Sequence, residues 1–130
     1  MANRHMALVR EVILWIITAF LAYVFVRQGL AKFSDDSGWA RAFRAWHYPD
    51  WFRILIGVVE LSAVLLLVIR RFALIGAAMI VVVMLGGMAT HIWWGQPRYV
   101  TSEILPLILA IVVALGRRRQ FLAGDREAPR

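Results

Sequence analysis

Glu60 is the residue whose chemistry most needs an explanation. It lies eight or nine residues into the apolar run Phe52–Ile69, which in a helix rising 1.5 Å per residue places it roughly 12–14 Å deep. A carboxylate at that depth needs a partner facing a protein interior, or a proton. Arg27, Lys32, Arg53, His91 and Glu103 also fall in or beside apolar runs. Six ionisable groups could therefore converge on one cavity and hydrogen-bond, or exchange protons with, the polar head of an apolar ligand. Trp39 and Trp93 stand where they could flank a ring.

Each residue also has a plainer use. Arg27, Lys32 and Arg53 can snorkel to headgroups, Glu103 can be a solvated carboxylate near a helix N-terminus, and His91 can be a packing histidine. Glu60 can form a structural ion pair with Arg27 or Lys32. Met79, Met84 and Met88 read as packing.

The same residues exclude much chemistry. There is no cysteine, which removes disulfides, thiol exchange, thiolate zinc and cysteine-held iron–sulfur clusters. Only His91 of three histidines lies within an apolar run, so paired histidine ligation of a haem inside one chain is not expected. No metal site, covalent cofactor, phosphate-binding glycine loop or nucleophile–base pair is read from the chain.

The elements that must position these groups follow from composition. Of 130 residues, 62% are apolar, against about 45–50% in soluble domains. Since a membrane-spanning helix takes about 20 apolar residues, this quota matches about four spans and leaves no room for a soluble catalytic module. The predicted spans are residues 8–32, 52–70, 72–94 and 101–116, forming an all-α integral membrane four-helix bundle in a single domain, 1–130. No small-x-small cleavage site precedes Lys32 and three further spans follow, so the first reads as a retained span. Gly95, Gln96 and Pro97 stop the third, and Arg117–Arg118–Arg119 stop the fourth, leaving a basic tail, 117–130.

In the long connection between the first two spans, Trp39, Phe43 and Trp46 repeat at i, i+4 and i+7. With Asp36 or Ser37 as cap and Pro49 as stop, they predict a short interfacial amphipathic helix, read either as an anchor or as a lid over a pocket. In the second span Arg53, Gly57, Glu60, Ala63 and Leu67 share one face. Gly76, Val83, Gly87 and His91 give a comparable stripe in the third, and Glu103, Leu107, Ala110 and Ala114 in the fourth.

The net charge is +7. Nine Lys and Arg on the side of the termini face six on the other, which predicts both termini in the cytoplasm and an outward-facing site. The charge then reads as attraction to anionic lipid, with no nucleic-acid partner.

Gly29–Leu30–Ala31–Lys32–Phe33, the aromatic connection through Trp39, Phe43 and Pro49, Gly57-x-x-Glu60 with Leu65–Leu66–Leu67, and Met84, Gly87, Ala89 and His91 together resemble the DoxX-like family over roughly residues 12–95. The resemblance implies a four-helix protein of the bacterial cytoplasmic membrane, in some members associated with redox enzymes. Relatives include a subunit linked to thiosulfate:quinone oxidoreductase and members linked to oxidative-stress complexes. Gly29, Lys32, Gly57 and Glu60 are the positions that match the family pattern.

The functional expectation is a redox-associated subunit binding a quinone or similar lipophilic molecule, with Glu60 or His91 handling protons and Trp39 or Trp93 against the ring. Two alternatives stand beside it. One is a non-catalytic accessory subunit within a larger membrane complex; the other is a small-solute transporter, which would need a homo-oligomer.

Overall fold

Every long apolar run becomes a helix, and two of the connections between them are single turns. The computed structural model describes the backbone of residues 2–127 and the side chains of 2–122. Helix α1 spans Ala2–Ala31, α2 Gly38–Ala45, α3 Asp50–Val68, α4 Ala73–Trp93 and α5 Val100–Glu127, with 3-10 turns at Arg70–Phe72 and Pro97–Tyr99. All of these but α2 are long and apolar enough to cross a membrane. The protein is an all-α membrane bundle of four spanning helices, with no strand among the described residues.

Chain order sets the packing: α1 lies on α3, α3 on α4, α4 on α5, and α5 closes back on α1. The core, with Leu21, Phe25, Leu67, Ile80 and Val113 wholly or almost wholly buried, is narrow. Large apolar side chains such as Ile16, Leu65, Val82 and Leu115 face outward, which suits a hydrocarbon solvent and would not suit water.

The second span obeys its predicted stripe: Arg53, Gly57, Glu60, Ala63 and Leu67 are all buried. The third and fourth obey theirs in part, since Gly76, His91 and Ala110 are buried while Ile80, Met84 and Val113 take the remaining core positions. α2 starts as expected, with the Ser37 side chain accepting from the Ala40 backbone N–H. Its Phe43 and Trp46 are buried against the bundle. The aromatic stripe therefore covers the bundle end rather than lying in lipid.

The terminal end departs from expectation. The arginine triplet does not stop the last helix, which runs through it to Glu127, because arginines end an apolar stretch without ending a helix. Arg117 is also not a solvated anchor. It is 1% exposed and donates to both oxygens of Glu11 at 2.8 and 2.9 Å, with its guanidinium 5.3 Å from the centre of the Trp15 ring. Arg126 and Arg130 of the predicted basic tail lie outside the described residues and side chains.

Candidate functional site

The site begins where α1 and α3 cross. A Cβ on Gly57 would lie 3.1 Å from the Gly29 carbonyl oxygen and 3.2 Å from Lys32 Cβ, so the bare backbone at residue 57 sets how closely the helices approach. One turn further along α3, Glu60 meets Lys32: Nζ lies 2.9 Å from Oε1 and 3.1 Å from Oε2. Both side chains are almost wholly buried. The ammonium also sits 3.9 Å from the centre of the Trp39 ring, a cation–π contact that helps replace its lost hydration.

Arg53 holds the turn that delivers Lys32. It is fully buried and does not snorkel. Its guanidinium donates to the Ser34 carbonyl at 2.8 Å and to Asp35 Oδ1 at 2.7 Å, tying the start of α3 to the end of α1. That hydrogen bond and the Arg53 charge hold the Asp35 carboxyl below its ordinary range.

The second half of the site comes from how α4 ends. Gly95 adopts φ +67°, and the Gln96 and Gly95 backbone N–H groups bond back to His91 O and Ile92 O at 2.7 and 3.2 Å. This is a Schellman stop, and it folds Gln96 back over His91. Trp46 Nε1 donates to Gln96 Oε1 at 3.2 Å. An indole nitrogen only donates, which fixes that amide atom as the oxygen. His91 Nδ1 lies 3.3 Å from the same oxygen. On the other side of the ring His91 Nε2 lies 3.3 Å from Glu103 Oε1. The imidazole thus bridges the Gln96 amide and the Glu103 carboxyl.

Glu103 reaches His91 because residue 87 is glycine: a Cβ there would come within 2.8 Å of Oε1. Glu103 Oε2 is buried and has no hydrogen-bond partner.

Both pairs line one cavity of about 410 Å3 beneath α2. Its apolar walls are Trp39, Phe43, Trp46, Phe52, Ile56 and Val83, and Tyr48 is held there by a 3.0 Å hydrogen bond to Thr90. A second cavity of about 630 Å3, on the α1/α5 side, shares Gln28, Trp39, Trp46, Met84, His91 and Glu103 with the first. Among the described residues no three His, Asp or Glu side chains gather as a metal ion would require.

Of the eight residues singled out in the sequence, Lys32, Glu60, His91, Glu103 and Trp39 are brought together here. Arg53 stands behind them as a positioning residue. Arg27 does not join: it is exposed on α1 and donates to Tyr23 one turn earlier. Trp93 does not join either, being 83% exposed on the far face of α4. The sequence reading missed Gln96 as more than a helix stop, and Trp46 as a hydrogen-bond donor. The signal available was the Gly95–Gln96 pair directly after a histidine turn.

The family model described as the DoxX-like family matches residues 16–116, reaching into α5 beyond the segment that carried the resemblance. No curated protein and no solved structure matches the chain. The family match takes in all four spanning helices, the Gly57–Glu60 crossing and the His91–Glu103 pair, and the chain is a member of the DoxX-like family.

Proposed function

We propose that the α2-covered cavity binds a quinone or a similar lipophilic molecule with a hydrogen-bonding head, and that the protein serves as a redox-associated subunit. The observation that carries this reading is the 3.3 Å His91–Glu103 contact, which sets an imidazole against a carboxyl beside an aromatic cavity and leaves Glu103 Oε2 unpaired. A cavity of about 410 Å3 suits a single ring with the start of a tail, within the usual 300–1,000 Å3 of ligand sites. The residues fit such a head: the unpaired Glu103 Oε2 and the Lys32 ammonium face a pocket whose other walls are mainly aromatic and aliphatic. A bound quinone would supply two-electron, two-proton chemistry. The chain itself would bind the ring between Trp39 and Phe43, exclude water with α2, and hold or release a proton at Glu103.

The family resemblance supports a bacterial cytoplasmic membrane, and the arginine asymmetry supports both termini inside, which turns this cavity outward. The test is organic extraction and chromatography of gently purified protein, followed by titration of added quinone in lipid nanodiscs. The reading expects a co-purifying or saturably bound quinone, weakened at least tenfold by Glu103→Gln. No extracted quinone together with no saturable binding would overturn it.

A docking role as an accessory subunit in a larger complex, or as a homo-oligomer, has its own support. Trp93 and Trp51 are 83% and 65% exposed at the same end of the bundle, and large exposed aromatics are common at interfaces. A stoichiometric partner retained in a mild-detergent pull-down, and lost in Trp93→Ala, would favour it.

A further inference from the structure

At the end of the bundle opposite α2, a basic cavity and an apolar groove run into one another. The cavity, about 470 Å3, is bounded by Leu8, Arg10, Glu11, Arg70, Arg119 and Gln120. The groove, about 490 Å3, lies between α1 and α5 and is bounded by Met6, Val9, Ile13, Leu14 and Val112. Arg10 and Gly116 line both, so the two adjoin across the Arg10–Gly116 hydrogen bond.

The charges in the cavity are unbalanced. Glu11 is its only acid among the described residues, and it is already committed: Arg117 donates to both its oxygens and Arg70 approaches at 3.4 Å. Arg10 gives one N–H to the Gly116 carbonyl at 2.8 Å. Arg70 gives its Nε and Nη2 to the Gln120 amide oxygen at 2.9 Å; a guanidinium has five N–H donors, so Arg10 and Arg70, both lining the cavity, each retain donors. The depth is also informative. Arg10 and Glu11 immediately precede the apolar run that begins at Val12, and Arg70 immediately follows the one that ends at Ile69. This is where headgroups meet hydrocarbon. Ile13 and Val112, 49% and 39% exposed, continue from that level along the groove toward the membrane interior, while Met6 and Val9 line its outer end.

We propose that this is a binding site for an anionic phospholipid, with the phosphate against Arg10 and Arg70 and one acyl chain in the groove past Ile13 and Val112. Guanidinium groups match phosphate oxygens in pairs, and the groove gives the chain a lining that inorganic phosphate cannot use. The site is separate from the α2-covered cavity, and its occupancy does not depend on any quinone.

Native mass spectrometry of the purified protein, titrated with phosphatidylglycerol against phosphatidylcholine, tests the proposal. At about 1 kcal/mol per arginine near the surface, Arg10→Gln with Arg70→Gln should weaken phosphatidylglycerol binding about thirtyfold. Arg27→Gln with Arg41→Gln removes the same charge at the opposite end and should change it less than threefold. Val112→Trp, which fills the groove and leaves the arginines in place, should weaken long-chain lipid at least fivefold and reads the site even if the double arginine variant unfolds. Equal loss from both arginine pairs would show general charge attraction and overturn the proposal. So would undiminished binding by Val112→Trp, or displacement of the lipid by millimolar inorganic phosphate.

Discussion

The Lys32 ammonium and the Glu60 carboxylate meet at 2.9 Å across the α1–α3 crossing, both side chains almost wholly buried. Removing one partner strands the other charge in a low-dielectric interior, which typically costs about 3–5 kcal/mol. Replacing both with apolar groups strands nothing. Lys32→Met should therefore lower stability by about 3 kcal/mol, and Lys32→Met with Glu60→Leu should recover at least half of that. Equilibrium unfolding in mixed detergent micelles measures these together with Glu60→Leu alone, and a double-variant loss equal to the sum of the two single losses would show that the pair is not coupled.

Gly87 and Glu103 give a second test. A methyl group at residue 87 would lie 2.8 Å from Glu103 Oε1, so the carboxylate must shift, while alanine improves helix propensity by about 1 kcal/mol. Gly87→Ala should thus keep or raise the melting temperature and lower quinone affinity about tenfold. Parallel melting and ligand titrations separate the two effects.

Gln96 accepts from Trp46 and faces His91. Gln96→Leu leaves an indole N–H and an imidazole nitrogen without a partner at a largely buried position, at about 1–3 kcal/mol. It should also free the ring to change tautomer. We expect reduced stability and an altered imidazole nitrogen-15 NMR signal; unchanged signals would mean that Gln96 does not set the tautomer.

Asp35 supplies a pH dependence with a definite sign. Arg53 holds its carboxyl below the ordinary value of 3.8, so the folded state releases that proton more readily than the unfolded chain does. The stabilisation is complete above about pH 4 and is lost as pH falls through the lowered folded value. Asp35→Asn should be less stable than the parent at pH 6, with the gap closing as pH falls below 3. A gap that stays constant with pH would exclude the Arg53 pairing as its source. Since Asp35 is 78% exposed, the effect is modest.

How much of this was legible in the sequence depended on range. Span number, the α3 stripe and Glu60 facing the interior were legible because helical period and apolar run length are local properties. The Glu60 partner stayed open between Arg27 and Lys32, because the choice rests on how closely α1 approaches α3 at Gly57. Arg53 looked like a snorkelling residue because Asp35, its partner, lies 18 positions away in a turn. Arg117 looked like a surface anchor because Glu11 is 106 positions away. Glu103 stayed open between a solvated carboxylate and a pocket group, because the space it fills is made by a glycine on a different helix.

The central claim is that a lipophilic ligand head sits beneath α2 beside His91 and Glu103. Photolabelling with an azidoquinone, followed by peptide mapping, tests it most directly. Saturable labelling is expected within residues 39–52 and 82–91, competed by unlabelled quinone and reduced in Glu103→Gln. Labelling confined to lipid-facing positions such as Ile16 or Leu65, or labelling that excess quinone does not compete, would contradict it.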